Sequence, residues 1–115
     1  MSYSPTVAEQ YVYDFWFDSL QGSDNSTLLG GAKAVKFFLI SQLGRDVLRE
    51  VWNVVELSTC PGSINRAGFY SAMRLISVLL DPEFTGYYPH ADLFTQTIGR
   101  EFPLPVMTGF PPTLA

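Results

Sequence analysis

The sequence predicts an all-α fold: two helix–loop–helix units in tandem, closed by a proline-rich segment that packs across the helices. Three observations carry this. Apolar residues recur at three- and four-residue intervals in four stretches, the signature of amphipathic helices. Two short polar segments, 21–27 and 58–63, split those stretches into pairs. After the loops stand the aliphatic residues Leu29 and Ile64, placed to pair as a minimal two-stranded antiparallel ribbon.

The first helix is predicted from Thr6 to Ser19. Thr6 and Glu9 have capping-box spacing, in which each side chain satisfies the other's backbone N–H. Val7, Tyr11 and Phe15 then recur at helical spacing, and Val12, Trp16 and Leu20 widen the apolar surface. Gln21 to Thr27 holds no large apolar side chain and reads as a loop. A second helix follows Gly30-Gly31, with Val35, Phe38, Leu39 and Gln42 along one face and Phe37, read as core, and Ile40 on another. Gly44 interrupts it. Arg45-Asp46 opens a third helix, in which Val47, Leu48, Val51, Trp52 and Val55 form the apolar stripe. A turn around Pro61-Gly62 follows. Asn65 caps a fourth helix whose buried stripe is Phe69, Met73, Ile76 and Leu80, widened by Ala72, Leu75 and Leu79. Asp81-Pro82 ends it.

The final third is different. Six of the eight prolines lie beyond residue 80, among Phe84, Tyr87, Tyr88, Phe94, Phe102 and Phe110. Such a segment is too apolar for a free linker and too proline-broken for long helices. A short helix near Ala91 to Ile98 is expected, then an extended strip over the helices. The whole reads as one domain over 1–115, with a helical core of about 6–80 and a tail of 81–115.

Composition narrows the function. The chain has 115 residues, 47% of them hydrophobic, 15% aromatic and only 16% charged. That supports one packed core and excludes intrinsic disorder. The net charge of −4 offers no excess of cations for phosphates, so nucleic acid is not an expected partner. Cys60, the single cysteine, excludes an internal disulfide framework and fits a reducing compartment. No apolar run reaches the length of a membrane span. No signal-peptide layout opens the chain, and the expected location is cytoplasmic.

Tandem helix–loop–helix units with a ribbon between their loops suggest a pair of EF-hands. A calcium loop needs oxygen ligands at positions 1, 3 and 5 and a bidentate Glu at position 12. Registering the second loop on Gly62 assigns Leu57, Thr59 and Pro61 to the first three and Gly68 to the last. Registering the first on Leu29 assigns Gly22, Asp24, Ser26 and Lys33. Neither set replaces a cation's hydration shell, so no calcium or other cofactor is expected.

These residues resemble a family. Tyr13 to Leu20, Gly31-Ala32, Ser41-Gln42-Leu43 leading to Val47 to Trp52, Ile64 to Ile76, and a closing segment from Leu104-Pro105 to Pro111-Pro112 are similar to the EH domain. The likeness covers most of 7–112. It implies a protein–protein interaction module of endocytic and vesicle-traffic scaffolds, tied to clathrin-mediated traffic, that binds Asn-Pro-Phe peptides of adaptor proteins. It also implies a ligand pocket between helices two and three, at Phe38, Leu48 and Trp52, with Arg49 beside it where many members carry a small residue. A location at the plasma membrane or endocytic vesicles follows from the same likeness, and Met1 just ahead of the first helix suggests the N-terminus of a larger scaffold.

Other chemistry is thin. His90 and Cys60 lack partners that would activate them, and Asp14 and Asp18, four residues apart, read as a solvated face. No catalytic constellation emerges, so an enzyme is not expected. Lys33, Lys36, Arg45 and Arg49 gather positive charge that could steer an acidic peptide or weakly touch an anionic membrane. The competing expectation is a structural or oligomerisation domain whose groove is filled by its own tail, Phe102 to Pro112.

Overall fold

The computed structural model describes residues 6–21, 28–56, 62–84 and 92–97. Five helices and a two-stranded ribbon follow in chain order: α1 (Val7–Gln21), β1 (Leu28–Gly30), α2 (Gly31–Phe38), α3 (Arg45–Val55), β2 (Ser63–Asn65), α4 (Arg66–Leu80) and α5 (Asp92–Gln96). Short 3-10 turns occupy Leu39–Ser41 and Pro82–Phe84. The ribbon is antiparallel and pairs Leu29 with Ile64, as the loop pattern predicts. Both side chains are fully buried, so this short ribbon pins the two helix–loop–helix units through the core.

The caps behave as local chemistry dictates. Thr6 N donates to Glu9 Oε1 at 3.0 Å, and Glu9 N donates to Thr6 Oγ1 at 3.2 Å, closing the capping box. At the start of α4, Gly68 N donates to Asn65 Oδ1 at 2.8 Å. A Cβ on Gly68 would come within 3.2 Å of the Val55 carbonyl oxygen and of Ile64 Cβ. The glycine therefore allows the start of α4 to lie against the end of α3 and the ribbon.

Several expectations change. The α1 helix continues two residues past Ser19, to Gln21, because Gln21 Nε2 donates to Leu28 O at 2.8 Å and ties the helix end to the ribbon. Its buried stripe is turned from the one expected. Val7 and Tyr11 are 89% and 61% exposed, whereas Val12, Tyr13, Trp16 and Phe17 are buried. Helix two ends before Gln42, which turns left-handed at φ 72° and so leaves the face assigned to it. The break thus precedes Gly44, which serves instead as the extended residue before α3.

The α4 helix is buried on nearly all sides, including Ser71, Arg74 and Ser77, and it is the hub on which α1, α3 and α5 pack. Leu80, expected in its buried stripe, is 40% exposed at the helix end. Around α4, Phe17, Phe37, Phe38 and Phe69 interlock with ring centroids 5.5–6.3 Å apart, in the range where aromatic pairs add to simple burial. Phe84, Leu93 and Phe94 join the same core, so the first part of the proline-rich region packs on the helices. The extended strip expected after it, including Phe102 to Pro112, lies outside the described residues. So do Cys60 and His90, and most of both loops.

Asp14 and Asp18 are not simply solvated. Arg66, at the start of α4, donates to Asp14 Oδ1 at 2.8 Å and to Asp18 Oδ1 at 2.7 Å. Its guanidinium also sits 4.5 Å from the centre of the Phe17 ring. The clasp joins two helices 48 and 52 residues apart in sequence.

Candidate functional site

A hollow of about 340 Å³ opens between α2 and α3, lined by Gly31, Val35, Arg45, Arg49, Trp52 and Gly62. It sits near the small end of ligand-binding cavities, yet it is more than twice the ~150 Å³ that accepts a benzene ring.

The hollow follows from how the elements begin. Gly31 N donates to Gly62 O at 2.9 Å, tying the first turn of α2 to the turn before β2. Gly62 takes φ 85°, a conformation costly for any residue with a Cβ. A Cβ on Gly31 would meet that same carbonyl oxygen and Cζ2 of Trp52, each at 3.4 Å. The indole thus lies directly over the helix start, close enough that a Cβ there would touch it. Trp52 is half-buried, with part of its ring left for the hollow.

Arg45, Arg49 and Trp52 stand at i, i+4 and i+7 of α3 and so share one face. The site is an apolar slot of Val35, Trp52 and glycine backbone with an arginine rim. Among the described residues its lining holds no nucleophile, carboxylate or imidazole. That suits reversible capture of an apolar group beside a negative one.

The four residues singled out from sequence separate into two pairs. Trp52 and Arg49 line the hollow. Phe38 and Leu48 do not; both are sealed in the core, Phe38 stacked on Phe69 with centroids 6.2 Å apart. Phe37 is buried too, edge-on to Trp16. The lining residues outside that selection are Gly31, Val35, Arg45 and Gly62. Arg45 carried a readable signal, seven residues before Trp52 on the same helix face. Gly31 and Gly62 carried none, since their part depends on contacts across the fold. Lys33 and Lys36 are exposed on α2 and take no part in the lining.

Residues 6–87 match the family model of the EH domain. The chain belongs to the EH domain family. Among relatives of this EH domain are two Arabidopsis thaliana proteins. EH domain-containing protein 2 is 33% identical over 101 residues, covering 87% of this chain and 17% of that protein. EH domain-containing protein 1 is 33% identical over 69 residues, covering 60% of this chain and 12% of that protein. The chain therefore spans less than a fifth of the relatives it matches. The fold also resembles the crystal structure of the N-terminal EF-hand domain of Arabidopsis thaliana AtEH1/Pan1, with a TM-score of 0.57 and 25% identity, covering 84% of this chain and 93% of that one. The EF-hand pairing inferred from the two loops accords with that neighbour.

Proposed function

We propose that this EH domain is a peptide-recognition module that seats the phenylalanine of Asn-Pro-Phe motifs in the hollow between α2 and α3. It would do so as part of a larger endocytic scaffold, bringing vesicle-traffic adaptors to the cytoplasmic face of a membrane. One observation carries the reading: a half-buried indole walls an apolar hollow of ring-accepting size, directly against a glycine. Phe38 and Leu48 support it indirectly, as buried residues that anchor α2 and α3 in the core.

The energetics suit a low-affinity module. Burying one phenylalanine ring contributes about 1.5–3 kcal/mol. The proline and asparagine of the motif favour a tight turn, which lowers the ordering cost. After the loss of free motion, micromolar binding is expected, with useful avidity coming from repeated motifs. No catalysis and no calcium belong to this reading, since Gly68 stands where a calcium loop needs its bidentate glutamate.

The test is a titration with a labelled Asn-Pro-Phe peptide followed by amide NMR shifts, run with calcium and with a chelator. Shifts should centre on Gly31, Val35, Arg49 and Trp52 and be the same in both buffers. Trp52→Ala should lower affinity at least tenfold and leave helix content largely intact, because the indole lies at the edge of the core and is partly exposed. Absence of shifts at millimolar peptide, or shifts confined to the far side of α4, would refute the proposal.

A further inference from the structure

This inference rests on the reading that the hollow takes a peptide anchor, and it concerns what lies beside that anchor. Arg45 and Arg49 are both exposed, both line the hollow, and neither has a carboxylate partner among the described residues. Arg66 and Arg74 contrast with them, each paired to acidic side chains of α1. The acidic neighbours on α3, Asp46 and Glu50, fall outside the lining, and Glu56 at the end of that helix is engaged by the Gly62 N–H at 2.7 Å rather than by either arginine. Two cations thus face one concavity with their charge unspent, on a chain whose net charge is −4.

We propose that Arg45 and Arg49 select peptides bearing a carboxylate within about three residues of the aromatic anchor. The distance comes from the helix. At 1.5 Å rise per residue, Arg49 lies roughly 4.5 Å and Arg45 roughly 10 Å along the axis from Trp52. An extended peptide advances about 3.3 Å per residue, so its first three flanking positions pass both arginines. A guanidinium fork accepts a carboxylate in two parallel hydrogen bonds, which a lysine would not match. The chain's overall negative charge does not cancel this, because fields from distant charges fade beyond the ~8 Å screening length of physiological salt. A bilayer is the poorer fit. Lipid recognition ordinarily uses a spread of about four to eight basic residues on one surface, whereas of the four on α2 and α3 only Arg45 and Arg49 line the hollow and Lys33 and Lys36 stand outside it.

The experiment compares three peptides of identical Asn-Pro-Phe core, flanked by aspartate and glutamate, by serine, or by lysine, using anisotropy at about 50 mM and 500 mM salt. The acidic peptide should bind roughly three- to tenfold tighter than the serine peptide at low salt, with the ratio shrinking toward one at high salt. In the double variant Arg45→Gln/Arg49→Gln that ratio should fall to about one. In Arg45→Glu/Arg49→Glu the preference should pass to the lysine peptide. Serine-peptide binding with no gain from acidic flanks, or a gain that survives in the glutamine variant, overturns this inference and leaves the pocket reading standing. Failure of every peptide, the serine one included, overturns both. Vesicles of phosphatidylserine and phosphatidylcholine form a separate arm. If the glutamine variant loses vesicle binding while its peptide ratios match the wild type, the arginines serve a membrane and the inference is wrong.

Discussion

Asp14 is the residue on which the α1–α4 surface turns. It accepts from Arg66 and from the Tyr70 hydroxyl, while Asp18 takes the other arm of the same guanidinium. Burial lowers the affinity of Arg66 for its proton, but hydrogen bonds and charge from Asp18 and Asp14 outweigh it and hold the group above the ordinary arginine value. Burial raises the Tyr70 hydroxyl first, and its hydrogen bond and proximity to Asp14 raise it further, to about 12. The sign follows from linkage. A folded-state value above the unfolded one means that the native protein holds this proton more tightly, so stability is fully present below about pH 10 and is lost as pH rises toward 12. Asp14→Asn removes the charge but leaves the burial, so Tyr70 should titrate between 10 and 12 rather than return to the ordinary value. Phenolate absorbance, taken as the difference between each protein and its Tyr70→Phe counterpart, reads this directly. An unchanged midpoint in Asp14→Asn would mean that burial alone holds the hydroxyl.

At the scale of elements, the junction between α2 and α3 is under local strain. Gln42 takes φ 72° between the 3-10 turn and Gly44, a region that costs a side-chain-bearing residue about 1 kcal/mol. Its side chain is exposed, and the turn is held instead by Ser41 Oγ donating to Phe38 O at 2.6 Å. Gln42→Gly should therefore raise stability by roughly 0.5 kcal/mol, the relieved strain being partly offset by a more flexible unfolded chain. Urea denaturation at constant m-value checks this, and a loss of stability would show that Gln42 makes a contact worth more than its strain. That junction also marks how far sequence reasoning reached. The helices, the Thr6–Glu9 box, the Asn65 cap and the Leu29–Ile64 pair were legible, because each depends on neighbours within a turn or on a pattern repeated in both units. The left-handed residue was not, because Gly44 offered a nearer and more conventional break. The orientation of α1 is hidden from the sequence for a related reason. Val7, Tyr11 and Phe15 satisfy helical spacing as well as the true stripe does, and only the position of α4 decides between them. Of the four residues picked out by the pattern, Trp52 and Arg49 line the hollow, whereas Phe38 and Leu48 share its helices but turn inward, a distinction that spacing alone does not make.

Across the whole molecule, one buried cation joins segments that no local pattern connects. Arg74 is 1% exposed in the middle of α4. It donates through Nη1 to Glu9 Oε2 at 3.4 Å and through Nη2 to the Thr97 carbonyl at 2.8 Å. The same Glu9 caps α1, and Thr97 directly follows α5, where its N–H donates to Leu93 O. A single guanidinium thereby holds the first turn of the fold and the last described helix onto the central one. On sequence grounds Arg74 passes for a polar break in an apolar helix, since its partners stand 65 residues before it and 23 after. Removing one partner of a buried pair leaves the other charge desolvated, at a cost of about 3–5 kcal/mol. Arg74→Met should fall at the low end, about 3 kcal/mol, because the Glu9 contact is long and Glu9 keeps its bond from the Thr6 N–H. Adding Glu9→Gln should restore part of the loss by removing the stranded carboxylate, which makes the pair strongly non-additive. Guanidinium denaturation measures both variants. Hydrogen exchange at the Thr97 amide should also accelerate more in Arg74→Met than exchange in the ribbon, as α5 loses its tether before the core opens. Equal stability of Arg74→Met and wild type, with Thr97 exchange unchanged, would place the tether in the apolar packing of Leu93 and Phe94 instead.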